Sequence, residues 1–222
     1  MTTITTRPII INDSSTITQI DKERLVYKFN NINLLNVQKF NDSNLKIRGI
    51  QFYVTPSNNS VLKFKNINYI FSSYIITENI DIIDQDNAYE YCLMIELVTT
   101  TLSNKLFLVL PIISGNTVGT NDNNNSFVTV MFNFVIENLN DLRDSNNIVF
   151  NKYNDIDDNL KFFSPNSLIP RGVFYKYIFK DSLSKMTTFI VYPTTSSKIY
   201  VDIPDTFDNN TINTILNTTD TY

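Results

Sequence analysis

Runs of branched and aromatic residues, broken by short Asn/Asp/Ser clusters, set the pattern of this chain. The runs are Leu25–Phe29, Leu34–Phe40, Leu45–Thr55, Val61–Phe64, Ile67–Ile76, Tyr89–Thr100 and Leu106–Ile113. Between them lie Asn30-Asn31, Asn41–Ser43, Pro56–Asn59, Asn66 and Ser103-Asn104, residue types that bond their own backbone and so favour turns. Short runs of β-formers with this punctuation predict strands. In the Tyr89 run, Tyr89, Tyr91, Leu93, Ile95 and Leu97 fall on one face, with Glu90, Cys92, Met94, Glu96 and Val98 on the other. Two further strands are predicted at Val173–Phe179 and Thr187–Tyr192.

One segment has a different period. Phe127, Val130, Met131, Phe134, Val135, Leu139 and Leu142 recur at helical spacing. They predict an amphipathic helix over 127–142 with Ser126 as N-cap, although the Phe and Val content leaves a strand possible. Gly119–Asn125 reads as a surface loop, and Asp144–Asn166 as polar and irregular. The expected fold is one α+β domain, dominated by a large twisted, mostly antiparallel sheet with few helices, over residues 17–203. Residues 1–16 form an N-terminal arm and residues 204–222 a C-terminal arm. The alternative is an all-β sandwich or jelly roll; a helix lying across a sheet at 127–142 distinguishes the two.

Composition narrows the chemistry. The 222 residues include no histidine and one cysteine, Cys92. Histidine bases, imidazole zinc ligands, an intrachain disulfide and thiolate metal clusters are therefore excluded. A net charge of −4 with no basic block argues against phosphate-driven nucleic-acid binding. Lys63/Lys65 and Lys176/Lys180/Lys185 sit between apolar residues and read as solvated strand faces. No stretch is long and apolar enough for a membrane span, and Met1–Ile11 has no signal-peptide pattern. The expected location is a reducing compartment, with Cys92 as a small buried hydrophobe.

Usage is also skewed: 32 Asn and 29 Ile stand against one Ala, four Gly and five Arg, the mark of AT-rich coding. With 41 Ser and Thr, about 6 glycosylation sequons arise by chance. The sequence has them at Asn12, Asn41, Asn58, Asn124, Asn209 and Asn217, so they carry no signal. Asp84–Asn87 alternates carboxylates like a calcium loop, but Tyr89 and Ile95 replace the glycine and the bidentate acid. Asn154–Asn159 is acidic without the spacing. Both read as solvated turns. No phosphate loop, dinucleotide fingerprint or serine elbow is present.

Leu62–Gly115 resembles the core of the α-type carbonic anhydrases. The stretches that carry the likeness are Phe71-Ser72-Ser73-Tyr74, Thr77-Glu78-Asn79, Met94–Thr99 and the apolar strand Leu106–Gly115. Leu25–Phe29, Ser167–Pro170, Phe174–Tyr177, Ser182-Leu183 and Thr188–Val191 extend it over roughly residues 17–200. In that alignment the three zinc-binding histidines fall on Ser72, Tyr74 and Glu96, and a threonine-bearing loop is shortened to Ser184–Thr187. Two weak neutral ligands and one carboxylate do not hold zinc. The resemblance therefore implies a carbonic anhydrase-like scaffold with no cofactor and no catalysis. The three positions are expected side by side on one sheet face. They form either a relict pocket for a small ligand or a cavity plugged by Tyr74 hydrogen-bonded to Glu96. The demand of buried polar groups for partners favours the plug.

Such zinc-free relatives resemble proteins encoded by large DNA viruses. With the AT-rich coding, this implies a non-enzymatic structural protein, a minor capsid or other virion component. It would be assembled in the host cytoplasm and packed against other capsid proteins through its surface and its arms, Met1–Asp13 and Pro204–Tyr222. The alternative is a receptor- or glycan-binding module, which the net charge disfavours.

Overall fold

The structure is a computed structural model. The structure describes residues 18–19, 25–30, 34–43, 45, 47–54, 60–78, 91–101, 103–115, 123–145, 147–149, 165–171, 174–180, 185–193, 199–201, 203, 207, 211 and 214–215. Both acidic loops, at 84–87 and 154–159, lie outside them, as does the N-terminal arm.

Twelve strands form one sheet: β1 (Thr18–Gln19), β2 (Val26–Lys28), β3 (Leu34–Asp42), β4 (Ile47–Val54), β5 (Val61–Phe64), β6 (Ile67–Glu78), β7 (Tyr91–Val98), β8 (Lys105–Ser114), β9 (Asn147–Val149), β10 (Tyr175–Lys180), β11 (Met186–Val191) and β12 (Ile199–Val201). The path runs β1-β10-β11-β8-β7-β6-β4-β3-β9, with β12 beside β8 and β5 and β2 branching from β6. Among the described residues, only the pairings of β8 with β11 and with β12 are parallel. Beyond the strands the sequence predicts, the structure adds β1, β9 and β12, each too short for alternation to register.

Two long strands organise the rest. β6 pairs β5 through its first residues and β4 through its last, with β7 along the other edge. β8 pairs β11 up to Val109 and β12 from Ile112. Pro111, which has no N–H to give a ladder, falls between those two partners. The β5–β6 hairpin turns on Lys65 and Asn66, at φ 49° and 65°. Both are left-handed, the geometry that matches the twist of a two-residue hairpin. Beside β2, the Asn166 side chain bonds both backbone groups of Phe29, at 3.0 and 2.6 Å. A side-chain amide thus occupies a sheet edge that would otherwise be open.

The predicted helix is present but begins earlier and divides in two. α1 spans Asn123–Glu137 and α2 Leu139–Asp144. Ser126 is therefore inside α1 rather than its cap, and the expected loop ends before Asn123. At Asn138 both the backbone N–H and the side-chain amide donate to the Phe134 carbonyl, at 3.1 and 2.9 Å. This competition for one carbonyl accompanies the break. α1 lies across the sheet, Phe127 against Tyr74 and Phe134 against Phe52, with ring centroids 5.1 and 6.3 Å apart. That placement excludes the sandwich alternative.

Each face of the sheet carries a core. The larger joins Val37, Phe52, Tyr74, Ile95, Leu108 and the helix residues; the smaller joins Phe40, Ile47, Ile75, Cys92, Met94, Phe107, Val109, Tyr177 and Phe189. Of the segment after residue 204, Phe207, Thr211 and Ile215 are buried, and Phe207 stacks edge-on against Tyr91 and Phe132. Lys176 departs from the expected solvated face: it is buried, its ammonium 6.0 Å from the Phe64 ring, and Lys65 reaches the same ring from 5.9 Å.

Candidate functional site

Of the positions aligned with the zinc ligands, Tyr74 and Glu96 do not come together. Tyr74 pairs with Ile95, whereas Ser73 pairs with Glu96. Directly opposed residues share a face and successive ones alternate, so Tyr74 and Glu96 lie on opposite faces. The cause is at Ser72. Between Phe71↔Leu97 and Ser73↔Glu96, β6 carries one residue more than β7. Such a bulge shifts the register by one, which moves side chains to the other face. Counting from the motif alone, i and i+2 were expected beside Glu96. In the fold, its neighbours on β6 are Ser73 and Ile75.

Tyr74 turns into the larger core, between Phe71 and Phe127 at 4.9 and 5.1 Å between ring centroids. The expected Tyr74–Glu96 hydrogen bond is absent, and the Tyr74 hydroxyl is buried without a partner. Burial pushes this phenol well above the usual tyrosine range. Leaving a hydroxyl unsatisfied costs about 1–3 kcal/mol. Tyr74→Phe, which keeps the ring, is expected to stabilise the fold by about 1–2 kcal/mol, read as a higher urea midpoint with unchanged slope.

Glu96 is the centre of a different constellation. Its Oε2 accepts hydrogen bonds from Ser73 Oγ at 2.9 Å and Gln51 Nε2 at 3.0 Å, and Gln51 also donates to Ser73 at 2.8 Å. Its Oε1 pairs with Lys105 Nζ at 3.0 Å. The carboxylate is buried at 5% exposure, while Lys105 reaches solvent at 38%. Gln38 extends the row by donating to the Tyr53 hydroxyl at 2.9 Å. Burial, then the Glu96 charge, push the Tyr53 phenol up, and hydrogen bonding with Gln51 pulls it part-way back. Four strands, β4 and β6 to β8, thus supply one acid, one base and two neutral partners in a closed set.

Motif reading missed Gln51, Ser73 and Lys105. Their only sequence signal is a polar residue inside a predicted strand, and many strands carry one. Pairing and the bulge decide which of these meet.

No known family's sequence profile matches the chain, and no curated protein matches it. Solved structures do. The α-carbonic anhydrase of Aspergillus oryzae superposes with a TM-score of 0.55 at 10% identity, covering 91% of this chain and 73% of that one. The chain has an α-carbonic anhydrase-like fold. Dioscorin complexed with ascorbate matches at a TM-score of 0.53 and 11% identity, over 89% of this chain and 72% of that chain. The α-carbonic anhydrase of Photobacterium profundum matches at 0.52 and 10%, over 91% and 77%. A carbonic anhydrase-like fold raises the question of zinc. The donors on the face of Glu96 are a hydroxyl, an amide and one carboxylate already neutralised by Lys105. Zinc requires three strong nitrogen, sulfur or oxygen ligands, so this set does not fit the ion. Among the described residues, no three acidic, histidine or cysteine side chains are grouped.

Proposed function

We propose that this chain is a non-enzymatic structural protein that uses a carbonic anhydrase-like scaffold to pack against other proteins. The finer reading is a minor capsid or other virion component of a large DNA virus, located in the particle and, before assembly, in the host cytoplasm. The observation that carries the non-enzymatic reading is the state of Glu96. Both carboxylate oxygens are engaged, by Lys105 on one side and by Ser73 and Gln51 on the other. Three donors thus take up most of the carboxylate's roughly four acceptor sites, and its charge is matched by Lys105 rather than left for a metal or substrate.

AT-rich coding and the acidic charge support the virion reading and argue against nucleic acid as the partner. Among the described residues no helix is long and apolar enough to cross a membrane. The arms, 1–16 and 204–222, are proposed as contacts to neighbouring capsid proteins, the second from a segment whose Phe207 and Ile215 are anchored in this chain's own larger core.

Two experiments test the proposal. Zinc in excess, or a chelator, is expected to leave the thermal midpoint unchanged, because binding to the native state alone would raise it by mass action. Carbon dioxide hydration is expected at the rate of buffer. Zinc-dependent turnover would overturn the non-enzymatic reading. Quantitative mass spectrometry of particles stripped with detergent is expected to find the chain at a fixed ratio to the major shell protein. Its loss with the detergent fraction would sink the virion reading.

A further inference from the structure

The strand registers place one row of side chains straight across seven strands. Lys28 opposes Val61, Val61 opposes Ile70, and Ile70 opposes Val98. Val98 opposes Lys105, Lys105 opposes Thr187, and Thr187 opposes Phe179. All seven therefore share the face of Glu96, and none is buried. Phe179 is 37% exposed. On the solvent side, Val26 opposes Lys63 and Lys63 opposes Asn68. These three are exposed, Val26 to 64%. On the inner side the row meets Glu96, Phe107 and Phe189, all buried. The row is thus the border between the smaller core and solvent. At about 4.8 Å per strand it is roughly 29 Å long.

Its chemistry is not that of an idle surface. Three apolar residues, Val61, Ile70 and Val98, lie between Lys28 and Lys105, and Lys63 stands beside them. The two rows contain no carboxylate, in a chain whose net charge is −4. Among the described residues no ion pair engages Lys28 or Lys63. Lys105 is anchored by Glu96, yet partly open to solvent. The two lysines bounding the apolar centre are four strand spacings apart, about 19 Å.

We propose that this stripe is the docking surface for an acidic, amphipathic segment of a partner protein, its apolar residues on Val61, Ile70 and Val98 and its carboxylates toward Lys28, Lys63 and Lys105. Charge complementarity selects the occupant: Lys28 and Lys63, which no described ion pair engages, and the half-open Lys105 border an apolar centre, and this favours a negative rim on the partner. The assignment rests on the packing role proposed above and gives it a location on the molecule.

The test uses the full chain and a fluorescein-labelled amphipathic peptide of Glu and Leu, with a Lys/Leu peptide and polyglutamate as comparisons. The Glu/Leu peptide is expected to bind, more weakly at 1 M salt where screening shortens to ~3 Å. The double variant Lys28→Glu/Lys63→Glu is expected to weaken it roughly tenfold, as reversal of rim charges does. Val26→Asp, at an exposed site, is expected to weaken it while leaving the thermal midpoint alone. Equal binding of Glu/Leu and Lys/Leu peptides, or no response to the reversals, overturns the proposal. So does equal binding of polyglutamate or preference for a sulfated oligosaccharide, and so does self-association that the reversals abolish. Retention of the charge-reversed chain in particles would remove the stripe and leave the virion role standing. Peptide binding by a chain absent from particles would do the reverse.

Discussion

Gly49→Ala is expected to lower the thermal midpoint by roughly 6–12 °C, from a loss of about 3 kcal/mol. Gly49 lies in β4 opposite Thr77 of β6. A Cβ there would collide with the Ile76 carbonyl oxygen and stand 3.2 Å from Ile75 Cγ2. The obstacle is backbone, and that backbone is held on both edges, by β4 and by β7. Relief therefore requires two ladders to move together, which puts the cost at the upper end of the usual range for overpacking. Asn68→Ala, on an exposed position of the same long strand, is the control and is expected to change stability by less than about 0.5 kcal/mol. A Gly49→Ala midpoint within a degree or two of the parent chain would show that the strands separate more easily than this argument holds.

Lys105→Met is expected to cost roughly 2–3 kcal/mol, because it leaves the buried Glu96 charge without its cation. The value sits below that of a fully buried pair since Lys105 is 38% exposed, so water reaches the cation side. Adding Glu96→Gln is expected to recover most of the loss. The amide is neutral, and its oxygen still accepts from Ser73 and Gln51. Urea unfolding of the parent, both single variants and the double variant closes the cycle. Additive costs would mean that the 3.0 Å pair contributes no coupling. A double variant less stable than Lys105→Met alone would mean that the carboxylate's other bonds, not the ion pair, hold the cluster.

The strand runs were legible because alternation and turn residues are local signals. Val61–Phe64 has the same limits in the sequence reading and in the fold. Tyr91, Leu93, Ile95 and Leu97 face the larger core, and Cys92 is fully buried on the other side. The helix was visible for the same reason, in its 3.6-residue period. Its break was not, because the choice of Asn138 to bond the Phe134 carbonyl twice depends on geometry that periodicity does not encode.

The candidate site divides differently. The sequence by itself excluded histidine and thiolate chemistry, since the residues are absent or single. It also placed Glu96 on a strand in the middle of the chain. Which residues surround Glu96 was decided only by the tertiary structure. One extra residue at Ser72 turns Tyr74 into the aromatic core and Ser73 toward the carboxylate. Gln51 and Lys105 arrive from strands 45 and 9 positions away in the chain, through pairings no local pattern fixes. The long row from Lys28 to Phe179 has the same origin. Composition and period specify which segments are strands; register, set by bulges and by contacts across the sheet, specifies which side chains meet.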